Sequence, residues 1–259
     1  MKGAWILARK DFRSYFHSWT GVLLAVFFLV IAGLFFCLLV LNYARFSFEA
    51  SKYPQEVIQS LGLTRFVYTS FFLNMAMILI FLVPLISMRA FSEEKKQQTL
   101  ELLYTYPFSD FDIVWGKFWG MLQFFSFLLL PTAVYLGWIY FLGGRLDGGQ
   151  VALGYVGFIL LAASYLSLGL FVSALSENQV VSAVVTFGVL IVFWILDWVA
   201  GFADGLWAHF FSALSPLAHY RDFTLGILDF SHTVYFVFFQ LYFLFLALRV
   251  IEARHWKTS

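Results

Sequence analysis

Six long apolar stretches constrain this 259-residue chain more than any other feature. They cover residues 20–44, 66–88, 113–142, 151–174, 180–202 and 233–251. A bilayer core about 30 Å thick needs roughly 20 apolar residues in an α-helix, which rises about 1.5 Å per residue. Because the stretches are continuously apolar and do not alternate with polar residues, they predict spanning helices and not the strands of a barrel. The sequence therefore predicts an all-α membrane protein in which residues 1–259 form one domain with six transmembrane helices.

The composition supports this class and excludes several others. Apolar residues make up 62% of the chain and charged residues 12%, against about 45–50% and about 25% in soluble domains. The formal net charge of +1 gives no basic field for a phosphate backbone, so no nucleic-acid partner is expected. The single cysteine, Cys37, excludes an internal disulfide.

The distribution of Lys and Arg predicts the orientation of the helices. If both termini lie in the cytoplasm, most of the 16 Lys and Arg residues fall on the cytoplasmic side. Cytoplasmic loops of membrane proteins carry such an excess of positive charge. The expected topology is therefore N-in and C-in, which agrees with an even number of spans.

Residues 1–19 predict an amphipathic helix that lies along the inner membrane surface. Aromatic residues recur at steps of three and four, and basic residues occupy another face. A helix of this kind lies at the headgroup boundary, beside anionic lipid. The residues expected to define it are Trp5, Arg9, Phe12, Arg13 and Phe16. From these residues alone, a simple membrane anchor is as good an interpretation as a functional element.

Residues 89–107 are the most polar segment of the chain and lie on the predicted cytoplasmic side. Ser92 is expected to cap a short helix, with Glu93 and Glu94 in its first turn, where the helix dipole favours negative charge. Pro107 is expected to end that helix. On composition alone, a solvated connector is the simpler interpretation of this segment.

Two other connections carry helix-start patterns. Ser109 and Asp112 are spaced as a capping box that begins the third span, and Ser176 and Gln179 have the same spacing in the short cytoplasmic turn before the fifth. On the outer side, residues 205–232 are too apolar for a free loop. They predict one or two short helices partly inserted in the outer leaflet.

The sequence offers no catalytic, cofactor-binding or metal-binding residues. Asp197, the main ionisable group in a span, is expected near the outer interface, because it stands about 20 residues beyond Glu177 and a helix rises about 1.5 Å per residue. A carboxylate at the bilayer centre would cost roughly 2.5–3.5 kcal/mol or more. His209, His219 and His232 share the outer side but lack the spacing of metal ligands. The chain has no G-x-x-x-x-G-K-[ST] loop, so it is not expected to hydrolyse ATP by itself. A membrane-embedded enzyme is therefore disfavoured.

The cytoplasmic segment resembles that of the type-2 ABC exporter permeases. The residues that carry the resemblance are RAFSEE at 89–94, TLELL at 99–103, Pro107 and the pair Gly116-Lys117. The family usually has glycine where this chain has Gln98, so a different backbone turn is expected there. The stretches that narrow the resemblance to the permease subunit of the gliding-motility ABC transporter are residues 12–36, 175–179 and 249–256.

The resemblance implies the membrane subunit of an ATP-driven exporter in the bacterial inner membrane. Two six-span subunits, identical or related, would surround a central pathway, each bound to a separate cytoplasmic ABC ATPase. ATP and Mg²⁺ would bind the ATPase, and this chain would hold no cofactor. In the family, the helix between the second and third spans is the coupling helix, the turn after the fourth span makes a second contact, and the N-terminal helix flanks the ATPase. The coupling residues implied here are Arg89, Ser92, Glu93, Glu94, Thr99, Glu101, Leu102, Leu103, Pro107, Glu177 and Asn178.

Two functions are compatible with these features. In the first, ATP hydrolysis moves the coupling helix, and the spans rock between two packed arrangements that export a substrate. In the second, a permease-like scaffold passes the motion of the ATPase to an envelope or auxiliary protein through residues 205–232. Membrane lipid surrounds the chain in both cases.

Overall fold

The computed structural model describes residues 2–50, 63–98, 108–141 and 148–258. These residues form helices and no strand, so the predicted all-α class is confirmed for this part of the chain. The elements are α1 Lys2–His17, α2 Trp19–Ala50, α3 Leu63–Ser87, α4 Ser92–Lys96, α5 Asp110–Leu129, a 3-10 turn Leu130–Thr132, α6 Ala133–Phe141, α7 Gly148–Leu175, α8 Gln179–Phe202, α9 Leu206–Leu214, α10 Pro216–Thr224 and α11 Phe230–Thr258.

Six helical segments are long and apolar enough to cross a membrane, as the sequence predicts. They are α2, α3, α5 with α6, α7, α8 and α11. Several helices extend past the predicted apolar stretches; α11, for example, begins at Phe230 and not at residue 233. The third span changes to a 3-10 turn at Pro131, because proline lacks the N–H that an α-helix requires and its ring clashes with the preceding turn.

Helix α7 is the centre of the bundle. Of its most apolar stretch 78% is buried, against 17% for the corresponding stretches of α2 and α8. It packs against α3, α5, α8, α10 and α11. The buried hydroxyls of Ser164 and Ser167 donate to carbonyls of the same helix, at 2.9 Å and 2.7 Å. Small side chains whose polar groups are satisfied in this way let neighbouring helices approach closely in an apolar environment.

Two short helices occupy the region predicted to be helical on the outer side, and they differ in environment. Helix α10 buries Tyr220 and Phe223 completely, and the Tyr220 ring lies 6.0 Å from that of Phe158 on α7. Helix α9 has no buried residue, and Leu206 and Trp207 are 88% and 66% exposed. Helix α10 therefore belongs to the core, whereas α9 presents an apolar surface.

The outer polar residues form two local groups beside α10. Asp197, near the C-terminal end of α8, is 5% exposed and accepts a 2.6 Å hydrogen bond from Arg221. His219 and His232 share a 2.9 Å hydrogen bond between their Nδ1 atoms, and His232 Nε2 lies 2.7 Å from Asp222 Oδ2. Within the part of the chain that the structure describes, no group of residues has the arrangement of a metal site.

Candidate functional site

Helix α4, the short helix after the second span, begins differently from the prediction. Its N-cap is Phe91, without a side-chain cap, so the predicted cap at Ser92 is wrong. Ser92 is fully buried, and its hydroxyl lies 3.3 Å from Ser173 O and 3.1 Å from Ser176 O. Since Ser92 follows the cap as the first helical residue, its side chain is free to face the end of α7. Ser92 therefore joins the connection after α3 to the connection after α7.

Further hydrogen bonds hold α4 against the end of α7. Ser173 Oγ accepts from the backbone N–H of Ser92 at 3.2 Å. Lys95 Nζ donates to Ala174 O and, at 3.4 Å, to Ser176 O. The last carbonyls of a helix have no partners within that helix, so α4 supplies the donors that the end of α7 lacks. We call the two joined connections, residues 88–98 after α3 and residues 176–178 after α7, the loop pair.

The turn between α7 and α8 places its own exposed residues on the same side. Asn178 is the N-cap of α8, and its Oδ1 accepts from Val180 N at 2.9 Å. Ser176 bonds to the backbone of Asn178 and not to Gln179, so the predicted capping box of Ser176 and Gln179 is wrong. Glu177 and Asn178 are exposed. The turn thus offers polar side chains beside α4.

The capping box predicted at the start of the third span is confirmed. Ser109 is the N-cap of α5, and its hydroxyl oxygen accepts from Asp112 N at 3.2 Å. The Asp112 carboxylate in turn accepts from the Ser109 hydroxyl at 2.9 Å and from Ala4 N at 3.3 Å. The start of α5 is therefore also a contact with α1.

A buried lysine connects three helices at the predicted cytoplasmic end of the bundle. Lys117 of α5 has a side chain that is 5% exposed, and its Nζ lies 2.8 Å from Glu94 Oε2 on α4 and 3.7 Å from Asp11 Oδ2 on α1. The same nitrogen lies 5.1 Å from the centroid of the Phe91 ring. A buried charge is costly unless it is paired, and here two carboxylates and a ring face surround it. We call Lys117, Asp11 and Glu94 the junction cluster.

Arg89 extends these contacts to the elbow between α1 and α2. Its Nη1 donates to Ser18 Oγ at 2.7 Å, and its Nε lies 3.8 Å from Glu93 Oε2. Beside it, Tyr15 Oη donates to Ile86 O at 3.0 Å. Burial raises the pKa of Tyr15, which keeps its phenol neutral as a donor. The end of α3 is thereby attached to the elbow between α1 and α2.

Close backbone packing brings Asp11 within reach of Lys117. Gly116 and Gly120 lie four residues apart on α5, facing α1. A Cβ atom would lie 2.9 Å from Ala4 O at Gly116 and 3.1 Å from Ala8 O at Gly120. Small residues at this spacing allow two helices to approach closely. Helix α1 is thus part of the packed bundle along the first half of α5.

The residues predicted to define the N-terminal helix lie in two environments. Phe12 and Phe16 pack on Phe127 of α5, with ring centroids 6.3 Å and 5.0 Å apart. The exposed residues are Trp5, Arg9 and Arg13. The face of α1 that is buried in the bundle contains Leu7 and Ala8, and Trp5 lies outside it. Whether α1 lies at the membrane surface stays a prediction.

Part of the implied coupling segment cannot be placed. The coupling residues that lie outside the described residues are Thr99, Glu101, Leu102, Leu103 and Pro107. Gln98, just before them, has a φ of 56°, in the left-handed region that glycine adopts most readily. A different turn was expected where Gln98 replaces the glycine of the family, but Gln98 takes a glycine-like conformation.

Lys117 and Asp11 were not predicted as site residues, although the sequence carries a signal for each. A lysine inside an apolar span needs an anion within reach, and Asp11 is the only acidic residue among the first 19. The contacts of Ser173 with α4 join positions about 80 residues apart in the chain. No periodicity within one segment indicates such a contact.

Comparison with known proteins adds one finding to this geometry. The family model described as "ABC-2 family transporter protein" matches residues 5–251. The match includes five of the six membrane-crossing helices completely, the sixth as far as residue 251, and every residue of the junction cluster. No curated protein is significantly similar to the chain.

Proposed function

The chain belongs to the ABC-2 transporter family, and from this membership we propose that it acts as the permease subunit of an ATP-driven exporter. Membership accounts for a multi-pass membrane protein that serves as the membrane subunit of an ABC transporter and works with a cytoplasmic ABC ATPase. The proposal adds export as the direction, the bacterial inner membrane as the location and a second permease copy around the pathway. It also places this chain with the gliding-motility type of permease.

The observation that carries the proposal is the attachment of α4 to three other helices, α7, α5 and α1. Hydrogen bonds join α4 to the end of α7, and Glu94 pairs with Lys117 of α5 beside Asp11 of α1. Arg89, just before α4, bonds to Ser18 in the elbow between α1 and α2. A displacement applied to α4 therefore reaches several spans at once through short, directional contacts. Such a connection suits rocking between two packed arrangements better than a solvated loop does.

The ATPase is proposed to bind the exposed acidic side of the loop pair. Glu177 is exposed and the Glu93 side chain is 35% exposed, and basic residues on a partner would complement them. Glu94 is assigned a different role, because it pairs with Lys117 inside the protein. Of the two acidic residues in the family pattern, Glu93 is thus proposed to bind the ATPase and Glu94 to transmit its motion.

Docking is tested by charge reversal with a closely matched control. We expect Glu93→Lys combined with Glu177→Lys to lower the amount of ATPase that copurifies with the tagged permease by roughly tenfold. The control is Glu252→Lys on α11, since Glu252 and Glu93 have similar exposure, 34% and 35%, and each lies near an arginine of its own helix. Normal copurification in the double variant, or equal loss in the control, contradicts the docking proposal.

Transmission is tested separately from docking. Ser92→Ala with Ser173→Ala removes hydrogen bonds within the loop pair and leaves its exposed carboxylates in place. We expect normal ATPase binding but a clear loss of substrate-stimulated ATP hydrolysis, because each hydrogen bond contributes about 1 kcal/mol. Ser167→Ala is the control, since among the described residues that buried hydroxyl bonds only within α7. Stimulation that is unchanged in the double variant contradicts transmission through the loop pair.

A permease-like scaffold is the second candidate, favoured by the exposed apolar surface of α9. Leu206, Trp207 and Phe210 are 88%, 66% and 54% exposed at the outer end. Such a surface suits either the outer leaflet or an envelope protein. Replacing the three residues with Ser distinguishes the two functions. If the chain is a scaffold, the variant no longer copurifies with an envelope partner but keeps ATPase stimulation. If it is an exporter that has no such partner, the set of copurifying proteins does not change.

A further inference from the structure

A groove of about 1100 Å³ lies between α1, α5, α7 and α11, away from the junction cluster. It is larger than the roughly 300–1,000 Å³ of sites that bind drug-sized molecules. Most of its lining is apolar, from residues such as Phe127, Leu130 and Leu241. We call it the α1–α11 groove.

Two arginines stand at one edge of the α1–α11 groove. Arg9 and Arg13 are one turn apart on α1, exposed, and part of the groove lining. Neither forms an ion pair with any residue that the structure describes. Trp5, Trp115 and Trp119 line the same region, and tryptophan favours the depth of the lipid headgroups. The edge therefore offers two adjacent positive charges at the level of the lipid phosphates.

Uncharged polar groups line the wall of the groove. Gln123 and Ser126 of α5 are partly exposed, and no hydrogen bond joins their side chains to a described residue. On the facing helix, the amide nitrogen of Gln240 donates to Leu160 O at 3.3 Å and to Ser164 Oγ at 3.4 Å. Polar groups inside a membrane span are costly without a partner. Their position favours a ligand that carries oxygen atoms as well as hydrocarbon.

The remainder of the wall is hydrocarbon that the protein leaves uncovered. Phe127, Leu130 and Leu241 are 48%, 65% and 46% exposed. The groove thus combines two adjacent arginines, uncharged hydrogen-bonding groups and apolar side chains. These are the contacts that the phosphate, the glycerol esters and the acyl chains of a phospholipid require.

We propose that the α1–α11 groove binds one anionic phospholipid of the inner leaflet, with its phosphate between Arg9 and Arg13 and its acyl chains along α5 and α11. The bound lipid fills the space between α1 and the α5–α11 face. This proposal goes beyond the permease function and depends on neither the ATPase nor the cargo. Charge complementarity selects an anionic lipid, because a zwitterionic headgroup adds a repelled cation beside the two arginines.

Quenching of tryptophan fluorescence tests the proposal, since three tryptophans line the groove. The full chain is reconstituted in phosphatidylcholine bilayers, and dibrominated phosphatidylglycerol or dibrominated phosphatidylcholine is added at equal mole fractions. We expect stronger quenching by the anionic lipid. Arg9→Gln with Arg13→Gln should reduce that preference by roughly tenfold or more, because each arginine near a membrane surface attracts anionic lipid. Arg249→Gln is the control, since Arg249 lies on the cytoplasmic half of α11 outside the groove lining.

A second variant distinguishes binding inside the groove from non-specific attraction of anionic lipid to the arginines. Ser126→Phe fills the groove and keeps both arginines, and it should abolish the preference for the anionic lipid as well. Circular dichroism and gel filtration confirm that each variant is folded. Equal quenching by both lipids overturns the proposal, as does a preference that survives in either groove variant. Cross-linking of Leu130→Cys to a second copy, in a Cys37→Ser background, also overturns it because the occupant is then protein.

Discussion

The two ends of the bundle use buried charge differently. At the predicted cytoplasmic end, Lys117 is enclosed and shared by two carboxylates from two other helices. At the outer end, Asp197 is the buried partner, and Arg221, which is 56% exposed, covers it from the surface. The cytoplasmic cation thus holds several elements together, whereas the outer pair attaches only α10 to α8.

The difference suggests a division of roles within one fold. An enclosed cation with partners on three helices keeps those helices in register, because separating any of them leaves a charge unpaired in an apolar environment. A surface arginine that covers one carboxylate can be rehydrated when α10 moves. This contrast agrees with the proposal that the predicted cytoplasmic end transmits displacement, and it suggests that the predicted outer end permits it.

The largest expected effect on stability comes from replacing Lys117. Lys117→Met leaves the Asp11 and Glu94 carboxylates without their shared cation, and it should lower the free energy of unfolding by about 3–5 kcal/mol. Arg221→Met should cost less, about 1–3 kcal/mol, because water can reach the site. Thermal unfolding in detergent measures both. A loss at Arg221 equal to or larger than that at Lys117 contradicts the contrast between the two ends.

A smaller effect is expected from the packing that supports the junction. Gly116→Val places a side chain against Ala4 O and Leu7 Cβ, which a Cβ atom would approach to 2.9 Å and 2.7 Å. We expect a loss of about 1–3 kcal/mol from overpacking. Gly188→Val on α8 is the control, since nothing lies within 4 Å of a Cβ there. Unfolding curves that shift equally in the two variants would show that α1 is not closely packed on α5.

The outer end should respond to acid. His219 Nε2 lies 3.1 Å from Ala213 O and must donate to it, so His219 Nδ1 accepts the bond from His232. Protonation of His219 would place two N–H groups face to face. Burial, the main cause, lowers the pKa of His219 below its ordinary value of 6.5.

The lowered pKa of His219 predicts the direction in which stability changes with pH. The unfolded chain takes up the proton first, so this contribution to stability is present above about pH 6.5 and declines as the pH falls below it. We expect the melting temperature to fall between pH 7.5 and pH 5.5, and to fall less in His219→Gln. The opposite order, with the variant more sensitive to acid, is incompatible with a neutral His219 in the folded protein.

The smallest effect is expected at Gln98, beside the loop pair. Gln98→Gly relieves the cost of a left-handed backbone at a non-glycine residue, and it should stabilise the protein by about 0.5–1 kcal/mol. Gln97→Gly is the matched control, because Gln97 has a right-handed helical backbone with a φ of −87°. Chemical unfolding of both variants measures the difference. A gain in both variants would refute strain at Gln98 as the cause.

Patterns within one segment predicted the parts of the fold that depend on neighbouring residues. The six spans follow from apolar length, and the cap at Ser109 follows from its spacing to Asp112. The same kind of reasoning failed at Ser92. Its hydroxyl bonds with residues of the α7 end, more than 80 positions away, and this alternative to capping is not visible in the local sequence.

The candidate site was predictable only in part for a similar reason. The resemblance identified the segment that contains Glu93 and Glu94, but the two carboxylates have different partners, Arg89 and Lys117. Adjacent residues on a helix point in different directions, and which of the two meets α5 depends on how α4 packs.

The amino-acid sequence alone determined that this protein is a six-span helical membrane protein, because the bilayer imposes a length and an apolarity on each span separately. Only the tertiary structure decided which polar groups meet inside it. The pairing of Lys117 with Asp11 and Glu94, the bond between α4 and α7 and the open α1–α11 groove all depend on helices that are distant in the chain. Their close approach is fixed by the packing of the whole bundle, a property that no single segment contains.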